Sequence, residues 1–459
     1  MCWRTRDSEA LGTRGLLREH VLSTSIGSSA RAFWAVSVLL ATTACGSAGA
    51  DAASVDPRRV GPASGDITWY AINFGPEGFP EQLIAAFEKA HPEINVDFQP
   101  APNNTDTMRA TLTTEITGGS DAIDVYNGDL VWPAQFGDAQ LAMPLDEHLP
   151  DDFWDRYPEE RARLTEYGDT HLAAPLYVDS GFLYYRKDLL EKHDLPVPKT
   201  WQELAETAKR LQDDGEVDYG YVGQWANYEG LTVNWTELSA AAGGRSVSAD
   251  DSEAAIDSPE NREALDFMRQ LLDSGVVPSA STSFQEQQSL QTFVEGEAAF
   301  HRNWSHGWGM ANDPLASGIV DKVGVMPLPG FEGGEEVGPS AAGGWNLMVN
   351  PHSKRIGASL VFMDWMTGPE AQRMMAQNSV LPANEEVLHD EELQRENPVL
   401  EVAADLDMVA RPAHTPRYPQ ISHGIYTNIN GSLAGSGSTA SALRAAAADI
   451  QRALEDRAL

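Results

Sequence analysis

The chain has 459 residues, 42% of them apolar, and a formal net charge of −36. That length exceeds one ordinary hydrophobic core and predicts two lobes or domains. The charge repels nucleic acid and anionic membrane surfaces, so neither is an expected partner, and the acidity is read as a solubility feature.

Residues 32–41 are the one strongly apolar run; they follow Arg14, Arg18 and Arg31 and are too short to span a bilayer. This is the layout of an export signal. The run leads into Thr43-Ala44-Cys45-Gly46-Ser47, which resembles a bacterial lipoprotein cleavage box, imperfectly, because Thr42 stands where that pattern prefers Leu. Residues 1–45 therefore read as a signal peptide with a lipobox-like end and Cys45 as the lipid-bearing residue; plain secretion with an incidental cysteine is the other reading. Cys2 lies in the leader, so no disulfide framework is expected. Residues 46–65 are rich in Ala, Ser, Gly, Pro and Asp and read as a flexible tether.

From Ile67 the pattern changes. Residues 67–72 predict a strand. A helix follows from Glu77 or Pro80, with Leu83, Ile84 and Phe87 on one face, ending at His91-Pro92. Residues 94–98 alternate as a strand, a helix carries Met108, Leu112 and Ile116 up to Gly118-Gly119, and residues 123–126 form a third strand. This order spells an α/β lobe with a mainly parallel sheet, whose ligands sit beyond the carboxyl ends of the strands. Residues 181–185 predict a buried strand, which also accounts for the adjacent Tyr184 and Tyr185. Thr200 is a candidate N-cap with Glu203 at capping-box spacing, and Ser258-Pro259 opens another helix. Two helices are expected over 353–367 and 369–378. A Gly/Ser-rich loop over 435–442 precedes a last helix bearing Leu443, Ile450 and Leu454.

Several phrases, in this order, resemble the extracellular solute-binding proteins of bacterial ABC importers. They are Leu83-Ile84-Ala85-Ala86-Phe87-Glu88 with His91-Pro92-Glu93-Ile94, Pro175-Leu176-Tyr177-Val178-Asp179-Ser180, Gly296-Glu297-Ala298-Ala299-Phe300, Arg302-Asn303-Trp304-Ser305-His306-Gly307-Trp308 and Gly343-Gly344-Trp345. The last two look most like the trehalose/maltose-binding branch. The resemblance covers nearly the whole chain from Asp66. It implies an α/β, two-lobed periplasmic-binding-protein fold (type II) with the ligand in the interlobe cleft. Crossings are implied near 177–180, 341–345 and 381–384, giving a first lobe of 66–178 plus 345–381 and a second of 179–344 plus 382–459. It further implies closure about a hinge.

A neutral disaccharide offers apolar ring faces and rows of hydroxyls, which call for aromatic platforms and convergent polar groups. Glu77, in the turn after the first strand, is a candidate, although a residue at a helix start also favours the dipole. Asp129 and its neighbour Asn127 follow the third strand, where family members hold a sugar-binding acid; a helix cap is the alternative for Asp129. Tyr177 and Asp179 stand two apart on a crossing strand and share a face. Trp304 and Trp345 match the family's stacking positions, against core packing as the commoner role of tryptophan. Gly344, with Gly343, is read as allowing close backbone approach to the ligand. His306 stands where relatives carry an aromatic. Arg417, in the Pro-rich segment from Arg411 to Pro419, resembles the late arginine that reaches the sugar.

No GxxxxGK-S/T, GxSxG or HExxH motif is present, and the histidines are scattered. No metal, cofactor or catalytic residue is expected. The implied function is capture of a neutral disaccharide, trehalose first and maltose or another α-glucoside second, by a monomer anchored outside the membrane through Cys45, for delivery to a membrane permease. A secreted glycoside hydrolase is the rival, since Glu77, Asp129 and Asp179 offer the two carboxyl groups that hydrolysis needs.

Overall fold

The computed structural model describes residues 60–455 apart from Asp151 and Asp405. The apolar run, Cys45 and most of the expected tether lie outside the described residues, among which no helix is long and apolar enough to cross a membrane. The tether ends earlier than its composition implies. The Val60 carbonyl accepts the Gly357 N–H at 2.6 Å. Position 357 has no room for a side chain, because a Cβ there would stand 2.8 Å from the Gly61 carbonyl.

The first strand forms as Gly65–Ala71 and pairs in parallel with Ile94–Pro100 and with Val125–Asp129. The intervening helices are Phe79–Ala90, which buries Leu83, Ile84 and Phe87, and Thr105–Thr117, which buries Met108, Leu112 and Ile116. Asn104 caps the second by accepting the Thr107 N–H at 2.9 Å. Two further strands complete this sheet. Gly343–Val349 lies antiparallel between Val125–Asp129 and Ala174–Asp179. The sheet is mainly parallel, as expected: four strands run the same way and Gly343–Val349 alone runs against both of its neighbours.

The second sheet runs in the order Val323–Met326, Phe182–Arg186, Ala298–Asn303, Tyr219–Val222. Only its last pairing is parallel. Each sheet has its own core. Trp69, Phe87, Leu112 and Phe362 belong to the first. Trp201, Trp235, Leu265 and Ile425 belong to the second. The chain leaves the first sheet after Asp179 and joins the second at Phe182. A third contact ties the crossings together, with Val178 N–H donating to the Leu381 carbonyl at 3.0 Å. Gln372, fully buried, braces the same place: its Nε2 donates to the Leu176 carbonyl (2.7 Å) and its Oε1 accepts the Ala383 N–H (2.7 Å).

Caps read from the sequence form locally. Thr200 accepts the Glu203 N–H at 3.1 Å, while the Glu203 carboxylate takes the Lys199 N–H at 2.8 Å in place of that of Thr200. Ser258 caps Pro259–Asp273. The last helix begins at Thr439, inside the expected loop. Helices Glu229–Ala241 and Tyr418–Leu433 were not legible beforehand. The first is buried on almost every side, from Gly230 through Ser239, so it carries no apolar stripe to betray it.

Candidate ligand-binding cleft

Asp129 and Asp179 are the final residues of Val125–Asp129 and Ala174–Asp179, two strands of the first sheet. Between those strands Trp345 pairs with Asp129 on one side and Tyr177 on the other. Asp129, Trp345 and Tyr177 thus form one row on one face, at the strand ends where α/β sheets present ligand contacts. Trp345 meets Trp132 edge-on at 5.7 Å, and Tyr177 lies 5.0 Å from Phe74.

The second lobe supplies the facing wall. Trp304 and His306 follow the strand Ala298–Asn303. Tyr228 and Glu229 sit at the start of Glu229–Ala241, and Glu286 in the first turn of Glu286–Val294. Together these groups enclose a cavity of ≈ 310 Å³, at the small end of the range for small-molecule sites. A wider groove of ≈ 850 Å³ bounded by Arg109, His423, Tyr426 and Arg452 shares no residue with it and carries no tryptophan.

Of the residues singled out in the sequence, Asp129, Tyr177, Asp179, Trp304, His306, Gly344 and Trp345 line this cavity. Three do not. Glu77 is exposed, ahead of the helix that starts at Phe79. Asn127 is fully buried one pleat below Asp129, where its Oδ1 accepts the Trp69 indole N–H at 2.9 Å. Arg417 precedes the helix Tyr418–Leu433 and is absent from the wall. The arginine on the wall is Arg411, six residues earlier, and it is 4% exposed.

Arg411 joins two elements. Its Nη1 donates to Glu229 Oε1 at 2.7 Å and its Nη2 to Asp129 Oδ1 at 3.1 Å. Burial opposes its charge, but Asp129, Tyr418 and Glu229 outweigh that and keep the guanidinium firmly protonated. Its Nε meets no partner among the described residues. Glu229 also accepts from the Tyr418 and Ser422 hydroxyls. Burial nonetheless raises its pKa, with Arg411 opposing.

Asp179 is 8% exposed, and its Oδ1 accepts the N–H groups of Ser180 (2.8 Å) and Ser305 (2.9 Å). Burial pushes its pKa up to about 6 against those hydrogen bonds. Burial likewise raises Glu286 and lowers His306 to about 4, which leaves a neutral imidazole at neutral pH. Behind Trp304 stands Arg302, 4.2 Å from the ring centroid and locked in a fully buried pair with Glu237. The indole is therefore held from the back by a fixed cation.

The two glycines line the cavity and also make room for the protein's own neighbours. A Cβ at position 343 would meet the Trp304 ring, and one at Gly344 (φ +120°) would stand 2.4 Å from the Tyr177 carbonyl. Tyr228, Glu229, Glu286 and Arg411 are cavity residues that the sequence did not disclose. Arg411 lay in the same Pro-rich segment as Arg417, and nothing in sequence separates the two.

Comparison with known proteins places this architecture. Residues 75–373 match the family model described as bacterial extracellular solute-binding protein. The chain belongs to that family, whose members are extracytoplasmic binding proteins and not enzymes. A probable ABC transporter-binding protein of Deinococcus radiodurans is 31% identical over 332 residues, 70% of this chain and 77% of that protein. The maltotriose-binding protein of Pyrococcus abyssi is 26% identical, over 69% of this chain and 66% of its own. The structure of maltose-bound MalE3 from T. maritima superimposes with a TM-score of 0.79 at 29% identity, over 84% of this chain and 99% of that one. The hydrolase reading finds no support among these relatives.

Proposed function

We propose that this protein captures an α-linked disaccharide, trehalose first and maltose second, and delivers it to the membrane permease of an ABC importer. The observation that carries the reading is the cavity itself. Trp304 from one lobe and Trp345 from the other offer indole surface, and Asp129 and Asp179 stand at the adjoining strand ends as hydroxyl acceptors. A volume of ≈ 310 Å³ suits one or two sugar rings better than a long oligosaccharide. The likeness to a maltose-bound structure and to a maltotriose-binding protein supports a saccharide over other solutes. In this reading Arg411, and not Arg417, takes the arginine's part.

The lobes close on the sugar as a hinge motion, and the closed monomer presents itself to the permease while a lipid on Cys45 keeps it at the outer face of the membrane. The test is calorimetric titration with trehalose, maltose, maltotriose and glucose, with free glucose assayed afterwards. Binding of a disaccharide without glucose release is expected. A panel in which no saccharide binds, or in which glucose accumulates, overturns the reading.

A further inference from the structure

Charge on the cleft wall does not balance. Asp129, Asp179, Glu229 and Glu286 share it with a single guanidinium, Arg411, and no lysine lines it. Both Nη atoms of Arg411 are committed to Asp129 and Glu229. Asp179 and Glu286 are left without a cation on the wall. Arg302, behind it, is paired with Glu237, so adding that pair leaves the excess unchanged.

These two acids meet around one indole. Asp179 binds the backbone N–H of Ser305, the residue after Trp304, at 2.9 Å. Glu286 lines the same cavity as Trp304 and Tyr228. An aromatic ring and two carboxylates lining one cavity are the chemistry that recognises an ammonium group. Sugar hydroxyls satisfy the hydrogen bonds of a carboxylate but not its charge, and Asp179, which is buried, carries a charge that is costly without a cation.

We propose that the cleft selects a disaccharide bearing a protonated amine, with the ammonium seated at Trp304 between Asp179 and Glu286. This rests on the saccharide reading of the same site and narrows it: the neutral disaccharide is the skeleton, and the amine adds a charge pair. A hydrogen bond between charged groups exceeds one to a hydroxyl by about 1.4 kcal/mol, which sets the expected gain at about tenfold in affinity.

The experiment is calorimetric titration of the purified protein near neutral pH with trehalose and maltose, their monoamino derivatives at each ring position, and the N-acetyl form of each amine. At least one amine is expected to bind about tenfold tighter than both its parent and its neutral N-acetyl form, with an advantage that shrinks at high salt. In Glu286→Gln, and separately in Asp179→Asn, the ratio of amine to N-acetyl affinity falls toward one. If the parent sugars bind and no amine binds tighter, this proposal is overturned while the saccharide reading stands. A ratio unchanged in both variants overturns the seating. If neither the parents nor the amines bind, the saccharide reading itself has failed.

Discussion

Gly343 and Trp304 touch across a gap that only a hydrogen atom fits: a Cβ at position 343 would stand 2.5 Å from the indole Cζ3. With Arg302 at 4.2 Å fixing the ring from one side, Trp304 cannot retreat freely. Gly343→Ala should therefore tilt the indole and weaken sugar binding by about tenfold or more, at a stability cost of about 1–3 kcal/mol typical of overpacking. Tryptophan-fluorescence titration beside a urea melt reads both. An unaltered affinity would mean that the indole does not grip the ligand.

The two arginines of the Pro-rich segment separate cleanly in a denaturation experiment. Arg411 is the buried partner of Asp129 and Glu229, and Arg411→Met strands both acids, for an expected loss of about 3–5 kcal/mol. Arg417, half-buried and outside the cavity, should cost about 0.5 kcal/mol on replacement by Ala. Equal losses for the two variants would contradict the placement.

Asp179 gives a pH signature with a definite sign. Its folded pKa of about 6 lies above the unfolded value of 3.8, so the protonated form is the one that folding favours. Its contribution is complete below about pH 4 and is lost as pH rises through 6. Removing the carboxyl should abolish that trend. Asp179→Asn is expected to gain on the parent protein between pH 4 and pH 7 by roughly 3 kcal/mol, before screening by residual water. Urea denaturation at the two pH values measures it, and parallel curves would show that the carboxyl titrates normally.

Gln372 joins the crossing strand Ala174–Asp179 to the return segment at Ala383 and Asn384. Gln372→Leu leaves buried backbone groups without partners, which should destabilise by about 2–4 kcal/mol. Hydrogen exchange locates the effect: the amides of Ala383 and Asn384 should lose protection ahead of the strands Gly65–Ala71 and Val125–Asp129. Uniform loss across the chain would argue against a local brace at this junction.

The sequence disclosed most where structure is decided locally. Thr200, Ser258 and Pro259 announce their helix starts because capping acts within one turn, and Leu83, Ile84 and Phe87 announce the face of theirs. Asp129 was legible as an acid after the third strand, and Asp179 through the crossing strand that the family resemblance implied. What stayed hidden depends on distant chain segments meeting. Glu229 opens a helix with no polar side, so periodicity is silent there. Arg411 and Arg417 differ only in which of them faces Asp129, a fact decided 282 residues away along the chain. The pair Gly343-Gly344 was visible, but what presses against it, an indole and a carbonyl, was not.

The bond from Gly357 to Val60 settles where the upstream chain attaches. Val60 packs on the core of the first sheet, so any pull from residues before it falls on that lobe alone. In the hinge motion proposed above, the other lobe is the one that swings.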